Sequence, residues 1–489
     1  MKNKTQIAIA GASGFIGTAL CRELANDYNI VAITRSPTRS KTVDPDIPVT
    51  WRHCDPFSMR EVELALSGAE HLIYLVHNRG PSARLDQAGC RDMDVLVADN
   101  FARAADKNGI KQIIYFGFLI PQGKVPQEII MSRQEVPETL ARLGTPVTTV
   151  RGGLVVGPGG TGLRLVANCV TRSPVIFIPR WALSKRQPIA LSDVIRALRF
   201  CLGNSETYGQ QYDIGGPQVL NFREMLQGAI DLLGKKRFVF TVPFCPENLY
   251  RTCIGLLNRD IHPDLIRIAI ESFRYDMVVK DNLLQKTISS KAIKIKEALS
   301  PYLERNRDAL LHNPRSTFRP QDDTELRTNS RVRSIQRLKL PEGRNAQWMA
   351  ENYFSWLPNF LQFFVIVDAD STGSYRFYLR MPRLLLLHFV FKPQHSTPNR
   401  RMYFIGGGLM AKILGGRTGR MEFRDVLDGK FTIAALHDFN PSLPWLFYVL
   451  TQALIHKLSM TTFQKHLEKI SPHLNKKGVL KRYDQKRNH

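Results

Sequence analysis

Five mostly apolar residues, Gln6-Ile7-Ala8-Ile9-Ala10, run straight into Gly11-Ala12-Ser13-Gly14-Phe15-Ile16-Gly17, and a helix-period segment succeeds them over 16–26. This strand–glycine turn–helix passage restricts the fold more than any other feature. Gly11 permits a tight turn off the strand, Gly14 lets backbone N–H groups approach a pyrophosphate, and Gly17 allows the helix to pack closely on the sheet. The start of the helix adds oriented N–H dipoles suited to an anion. Gly11, Ser13, Gly14, Phe15, Ile16 and Gly17 are therefore the candidate dinucleotide cradle, with a purely structural glycine turn as the alternative.

The chain then repeats the same architecture. QIAIAG, NIVAITR, PVTWRHC, HLIYLV, KQIIYFG and PVTTVRGG read as strands, and 16–26, 58–68, 91–107 and 133–143 as helices. Regular alternation with strands apolar on both sides implies an α/β fold: a Rossmann-type, doubly wound parallel sheet with helices on both faces. This first domain is expected over 1–300, with 151–300 as its substrate-side segment. Residues 301–345 are rich in Arg, Asn, Ser, Pro and Asp and read as a basic polar linker. Beyond it, FLQFFVIVDAD, SYRFYLRM, LLLLHFVFK, RMYFIGGG, GRMEFRDV and KFTIAALHDF are closely spaced strand-like runs, and 443–467 is an apolar helical segment. They imply a second, α+β domain over 346–475, an antiparallel sheet with a C-terminal helix in a helix-grip-like arrangement. Four consecutive leucines, Leu384 to Leu387, put apolar side chains on both faces of that sheet. The strands could line a lipid cavity, but filling an ordinary core is the commoner use. Residues 476–489 read as a basic tail.

The formal charge of +25 is spread unevenly, with +10 on 1–300, +4 on 301–345 and +11 on 346–489. Such an excess suits nucleic acid, anionic lipid or anionic metabolites. No helix-turn-helix, zinc or RNP-type motif accompanies it, so no nucleic-acid partner is expected, and a peripheral contact with an anionic membrane is the preferred partner for the C-terminal excess. The seven cysteines are odd in number and form no C-x-x-C pair, which argues against a disulfide framework or a metal site and fits a cytoplasmic protein. The apolar stretches around 381–391 and 443–456 fall short of the roughly 18 residues of a spanning helix.

The end of the second strand bears on the choice of cofactor. NAD-binding units usually place an acid about 20 residues beyond the glycines to accept from the ribose hydroxyls. Here Ile33-Thr34-Arg35-Ser36-Pro37-Thr38-Arg39 stands instead, with no acid until Asp44. Arg35, with Ser36 and Arg39 assisting, is placed to pair with a 2′-phosphate, which favours NADP(H) over NAD(H).

The glycine spacing, HCDP after the third strand, LIYLVHN at the fourth, IIYFG at the fifth, TTVRGGLVVGPG and YDIGGPQVLNFREML together resemble the atypical, extended short-chain dehydrogenase/reductase superfamily as far as about residue 300. LVH, SRQEV, PRW, QPIA and IGGP narrow this to a bacterial subfamily with an extra C-terminal domain of unknown function. More distant likeness is to NmrA-like sensors and the nucleotide-binding accessory subunit of respiratory complex I. The resemblance implies that Asp55 contacts adenine, that Val76 and His77 line the adenine–ribose wall, and that Gly117 lies beside the nicotinamide. It places Arg180, Trp181 and Gln187 on the substrate side, against the alternative of a packing corner.

Active members of that superfamily use Tyr-x-x-x-Lys. The corresponding positions here are Ile129 and Arg133. Isoleucine carries no proton, and Arg133 can hold ribose hydroxyls but cannot act as a base. Tyr115 sits in an apolar strand and reads as core. His77, whose ordinary pKa suits proton transfer, and Arg133 are the remaining catalytic candidates, against the alternative that His77 is a hydrogen-bonded structural histidine. Two function classes are left: an NADP(H)-dependent oxidoreductase or isomerase acting on a small apolar or quinone-like substrate through a non-standard group, or a catalytically silent NADP(H)-binding sensor or assembly protein.

Overall fold

The computed structural model describes residues 4–36, 40–41, 45–77, 82–123, 125–288, 293–294, 296–297, 331–361, 364–411 and 419–470. The chain divides into two compact units, one of residues 1–80 and 97–322, the other of 81–96 and 323–489.

In the first unit, β1 (Gln6–Ala10), α1 (Phe15–Leu24), β2 (Asn29–Thr34), β3 (Val49–His53), α2 (Met59–Leu66) and β4 (His71–Tyr74) open the alternation. The chain then leaves this unit to form β5 (Leu85–Ala88), and the boundary on the way back falls inside α3 (Cys90–Lys107). After it come β6 (Gln112–Phe118), α4 (Gln127–Ala141), β7 (Val147–Gly152), β8 (Val155–Val156), α5 (Thr161–Arg172), β9 (Val175–Pro179), β10 (Ile189–Ala190), α6 (Leu191–Cys201) and β11 (Gln211–Ile214). The unit continues with α7 (Phe222–Leu233), β12 (Phe238–Val242), α8 (Glu247–Leu257), α9 (Pro263–Ser272) and α10 (Leu283–Ile288).

Among the described residues, a seven-stranded sheet runs in the order β11-β7-β6-β4-β1-β2-β3, every neighbouring pair parallel. The strands are buried on both faces: Ile7, Ile9, Ile30, Ala32, Ile73 and Ile114 belong to one apolar cluster, and Ala8, Leu72 and Ile113 on the alternate positions are equally buried. That is why they read as continuous apolar runs. The helices carry their own start and stop signals. Ser58 accepts from the Glu61 amide to begin α2, Asn221 and Glu224 form a reciprocal capping box at α7, and Gly234 ends α7 in the left-handed conformation. Strand order reverses between β1 and β4, and in such sheets the crevice beyond the carboxyl ends of the strands at that reversal takes the ligand.

Among the described residues, the second unit is built on a mixed, mostly antiparallel eight-stranded sheet in the order β14-β15-β16-β17-β18-β19-β13-β5. Its later elements are β13 (Val332–Lys339), α11 (Ala346–Phe360), β14 (Val365–Ala369), β15 (Tyr375–Leu379), β16 (Leu385–Phe391), β17 (Arg400–Gly407), β18 (Arg420–Val426), β19 (Phe431–Phe439), α12 (Trp445–Leu450) and α13 (Gln452–Ile470). Two features differ from the expectation raised by composition and periodicity. The segment 301–345 contains β13, which pairs antiparallel with β19 on one side and parallel with β5 on the other. Its Arg-rich composition hid it, because Arg333 and Arg337 are matched by Ser82 and Asp92 from the remote 81–96 segment. The remainder of that segment, 301–330, lies outside the described residues, as does the 476–489 tail.

The second difference is the helix packed on the middle of the sheet, α11, begun by Asn345 accepting from the Trp348 amide. Its Phe354 stacks on Tyr375 at 4.2 Å and meets Tyr403 edge-on at 4.9 Å. The C-terminal helix α13 joins the same core through Met460, Phe463 and Leu467. The Phe-rich strands are thus used to bury α11.

Candidate functional site

The start of α1 follows directly on the glycine turn. Gly11 adopts φ +88°, its amide and that of Ala12 donate to the Ile33 carbonyl of β2, and the Gly14 amide returns to the Gly11 carbonyl at 3.0 Å. Ser13 Oγ lies 2.7 Å from Thr34 Oγ1, fastening the loop to the end of β2. Gly14 caps the helix with no side-chain hydrogen bond, and the first turn contains no acid. The first-turn amides of Phe15, Ile16 and Gly17 have no acceptor within the helix, so an anion can take them. The Phe15 ring itself turns away onto the glycine turn at 157–160, 3.1 Å from where a Cβ on Gly160 would sit. A Cβ on Gly17 would lie 2.3 Å from the Gly11 carbonyl oxygen, so only glycine lets α1 sit this close to the turn.

Arg35 is exposed directly after β2, and the Ser36 amide donates to Thr34 Oγ1 at 3.3 Å. Arg39 lies outside the described residues. Asp55 comes after β3 and turns its carboxylate onto the Phe57 amide at 3.1 Å, while its own amide donates to Glu61. This is an Asx turn leading into α2. Val76 and His77 come after β4, both half-buried, and Leu75 passes against Gly11.

A second group gathers where β4 and β6 end. The His77 ring is 5.3 Å from that of Phe118 and 6.3 Å from that of Tyr115, and the Arg133 guanidinium stands 4.6 Å over the Phe118 ring. Tyr115 is buried, as an apolar strand requires, but its ring runs along the strand over Gly117: a Cβ there would be 2.7 Å from the tyrosine hydroxyl oxygen. Its phenol therefore reaches the carboxyl end of β6, the part of the sheet that faces the crevice. Burial and membership of the site are thus compatible at Tyr115, which its strand pattern assigns to core alone. Its i, i+2 relation to a strand-end glycine is what leaves room for the ring to lean that way. Ile129 falls in α4 with its side chain outside the described residues, and Arg133 lies one turn further along the same helix.

Among the described residues, the three substrate-side candidates make their contacts elsewhere. Trp181 donates its indole N–H to the Cys245 carbonyl at 2.9 Å and meets Tyr250 edge-on. Gln187 donates to the Gly216 carbonyl and accepts from the Val279 amide. Arg180 is exposed. Burial pushes the thiols of Cys21, Cys169 and Cys201 up to about 12, so they remain protonated and are poor nucleophiles at neutral pH.

A parallel sheet with its strand order reversed at β1/β4, a glycine turn and an uncapped helix start at that reversal define a dinucleotide-binding Rossmann domain. Residues 11–142 match the family model described as NAD(P)H-binding. The match covers the glycine turn and the strands and helices from α1 to α4. The auxiliary protein GraX of Staphylococcus aureus is 34% identical over 146 residues, which is 30% of this chain and 43% of GraX, so the chain spans less than half the length of that relative. Among solved structures, the chain is similar to the NADPH-dependent quinone oxidoreductase QOR2 of Escherichia coli in complex with NADPH, with TM-score 0.48, 19% identity, and 61% of this chain and 99% of that one covered. It is also similar to the triphenylmethane reductase of Citrobacter sp., with TM-score 0.49, 18% identity, and 61% and 99% covered.

Proposed function

We propose that the chain binds NADP(H) along the carboxyl edge of β1, β2, β4 and β6 and acts as an oxidoreductase whose proton donor is Tyr115. The observation carrying this reading is the gathering of Tyr115, His77, Phe118 and Arg133 about Gly117, on the same sheet edge as the open start of α1. The preference for the 2′-phosphorylated cofactor is supported by Arg35 standing directly after β2 where an acid would otherwise accept from ribose. Bound NADPH would supply the hydride. The chain's own residues would hold the pyrophosphate on the amides of Phe15, Ile16 and Gly17, seat the ribose against Arg133, and deliver a proton from the Tyr115 hydroxyl, with His77 replacing it from solvent. The ring faces of Phe118 and Tyr115 suit a flat, apolar acceptor such as a quinone or enone. A silent NADP(H)-binding role is the second reading, favoured by Ile129 and Arg133 at the Tyr and Lys positions and by the burial of Tyr115.

The test titrates NADPH and NADH into the full chain and then monitors NADPH oxidation with a panel of quinones and enones. The expected result is tighter binding of NADPH, a gap narrowed by Arg35→Ala, and turnover that Tyr115→Phe abolishes without weakening NADPH binding. Equal affinity of the wild type for both cofactors would refute the role of Arg35. Tight binding without turnover on any acceptor would establish the silent reading.

A further inference from the structure

The two C-terminal helices are apolar on opposite sides. Tyr448, Ala453, Met460, Phe463 and Leu467 enter the core of the second unit. Leu446, Phe447, Leu450, Leu454 and Leu458 recur at spacings of one to four on the other side and are 55% to 67% exposed. The helical path is nearly continuous across the junction, since the Thr451 amide donates to the Phe447 carbonyl and the Ile455 amide to that of Thr451. An exposed apolar run of this size, from Leu446 to Leu458, marks a face built to be covered.

The loops at one end of the sheet extend this face. Phe364 is 67% exposed before β14 and Met381 85% exposed in the β15–β16 turn, and the two loops are tied by the Arg380 amide donating to the Phe364 carbonyl. Leu409, also exposed, comes after β17 and donates its amide to the Leu385 carbonyl, and the next residue, Met410, accepts from the Ser442 amide just before α12. The exposed loop tips and the start of the outer helix face therefore share one end of the unit.

Charge decides between possible occupants. No Asp or Glu occurs between Asp438 and Glu468, and no charged residue of either sign between Asp438 and Lys457. Lys465 and Lys469, seven and eleven residues beyond Leu458, continue the same helical face, and exposed Arg380 and Arg383 flank Met381. Protein interfaces are depleted in lysine, whereas a Leu/Phe face rimmed by Lys and Arg is the composition of an element lying in an anionic bilayer surface. Long basic side chains can reach headgroup phosphates while their stems stay with the apolar face. No helix among the described residues is long and apolar enough to cross a membrane.

We propose that the outer face of α12 and α13, with the Phe364, Met381 and Leu409 loops, is a docking surface for an anionic lipid bilayer, the helices lying in the interface. This assigns Lys465, Lys469, Arg380 and Arg383 to lipid and does not depend on the cofactor reading.

The experiment is flotation of the full-length protein with vesicles of phosphatidylcholine alone or of phosphatidylcholine mixed with phosphatidylglycerol. The expected result is binding to the mixed vesicles that weakens about tenfold or more on the neutral ones and falls with added salt. Leu450→Glu with Leu454→Glu, and separately Met381→Asp at the loop tip, are each expected to abolish most binding while the melting temperature and the NADPH titration stay as in the wild type. Failure to float with the mixed vesicles, or equal binding to the neutral ones, would overturn the proposal. So would a wild-type dimer that the Leu450→Glu, Leu454→Glu variant converts to monomer, since the face would then belong to a second copy.

Discussion

Replacing Gly17 by alanine tests how the glycine turn works, because the structure separates its effect from that of the same change at Gly14. A Cβ on Gly17 would lie 2.3 Å from the Gly11 oxygen, 2.7 Å from Ala12 Cα and 2.8 Å from the Ala12 oxygen, all backbone atoms that no rotamer change can clear. Restoring ordinary contact requires α1 and the turn to part by about 1 Å. Overpacking of this kind costs about 1–3 kcal/mol. A displacement of that size at a positioning element also costs about a hundredfold in ligand affinity or rate. At Gly14 the only close neighbour of a new Cβ is the Gly11 oxygen at 3.1 Å, which a shift of a few tenths of an ångström relieves, but the methyl would stand where a phosphate must approach. Gly17→Ala should therefore lower both the denaturant midpoint and the NADPH affinity, whereas Gly14→Ala should lower affinity at nearly unchanged stability. Urea unfolding of the apo protein, paired with NADPH fluorescence titration, measures both. A Gly17→Ala protein as stable as the wild type would refute the packing argument, and a Gly14→Ala protein that binds NADPH normally would refute the close approach at that position.

In the second unit, Glu422 is buried with its carboxylate on Arg400 and on Arg424 at 2.6 Å. Burial alone would raise its pKa, but the two guanidinium groups hold it well below the ordinary 4.5. Glu422→Gln should cost about 3–5 kcal/mol in urea unfolding at neutral pH, because buried Arg424 and part-buried Arg400 lose their counter-charge, and a cost below about 1 kcal/mol would refute that pairing. His437, fully buried nearby, is held well below its ordinary 6.5 by burial and then by Arg420 and Arg333. Both folded pKa values are depressed, so their stabilisation is whole above 6.5, declines as pH falls below it through His437, and declines again below 4.5 through Glu422. Stability measured against pH should keep that order and flatten above 6.5 when His437 is the group responsible. Phe354→Ala should destabilise this unit by about 3–5 kcal/mol, read from its melting temperature. A fragment of residues 323–489 should be markedly less stable than the same unit in the full chain, because it lacks β5 and the Asp92 carboxylate 2.7 Å from Arg337; equal stability by hydrogen exchange would show that 81–96 is dispensable.

How much of the molecule is legible in its sequence depends on how local each signal is. The parallel sheet is legible because Ile7, Ile30, Ile73 and Ile114 sit in apolar runs buried on both faces, and the glycine turn because Gly11 takes φ +88° and Gly17 leaves no room for a Cβ. Tyr115 is buried as its strand pattern implies, but such a pattern does not report the direction in which a long ring leans, here over Gly117. Helix α11 escapes notice, because its apolar residues Met349, Tyr353, Phe354 and Leu357 are interrupted by Glu351 and Asn352, and Pro358 lies in its last turn. The largest departure is β13 in the Arg-rich 301–345 segment. Composition marks a stretch as linker when its charges have no visible partners, but the partners of Arg333 and Arg337 lie 251 and 245 residues earlier in the chain. The same segment that interrupts the alternation between β4 and β6 supplies the edge strand β5 of the second sheet, paired parallel to β13 through Leu85 to Ala88. The two units are thus interleaved in sequence although each is compact in space. The second cannot complete its folding until the chain has been made well past residue 331, so the β13-facing edge of β5 and the Asp92 carboxylate stay unmatched in any N-terminal intermediate.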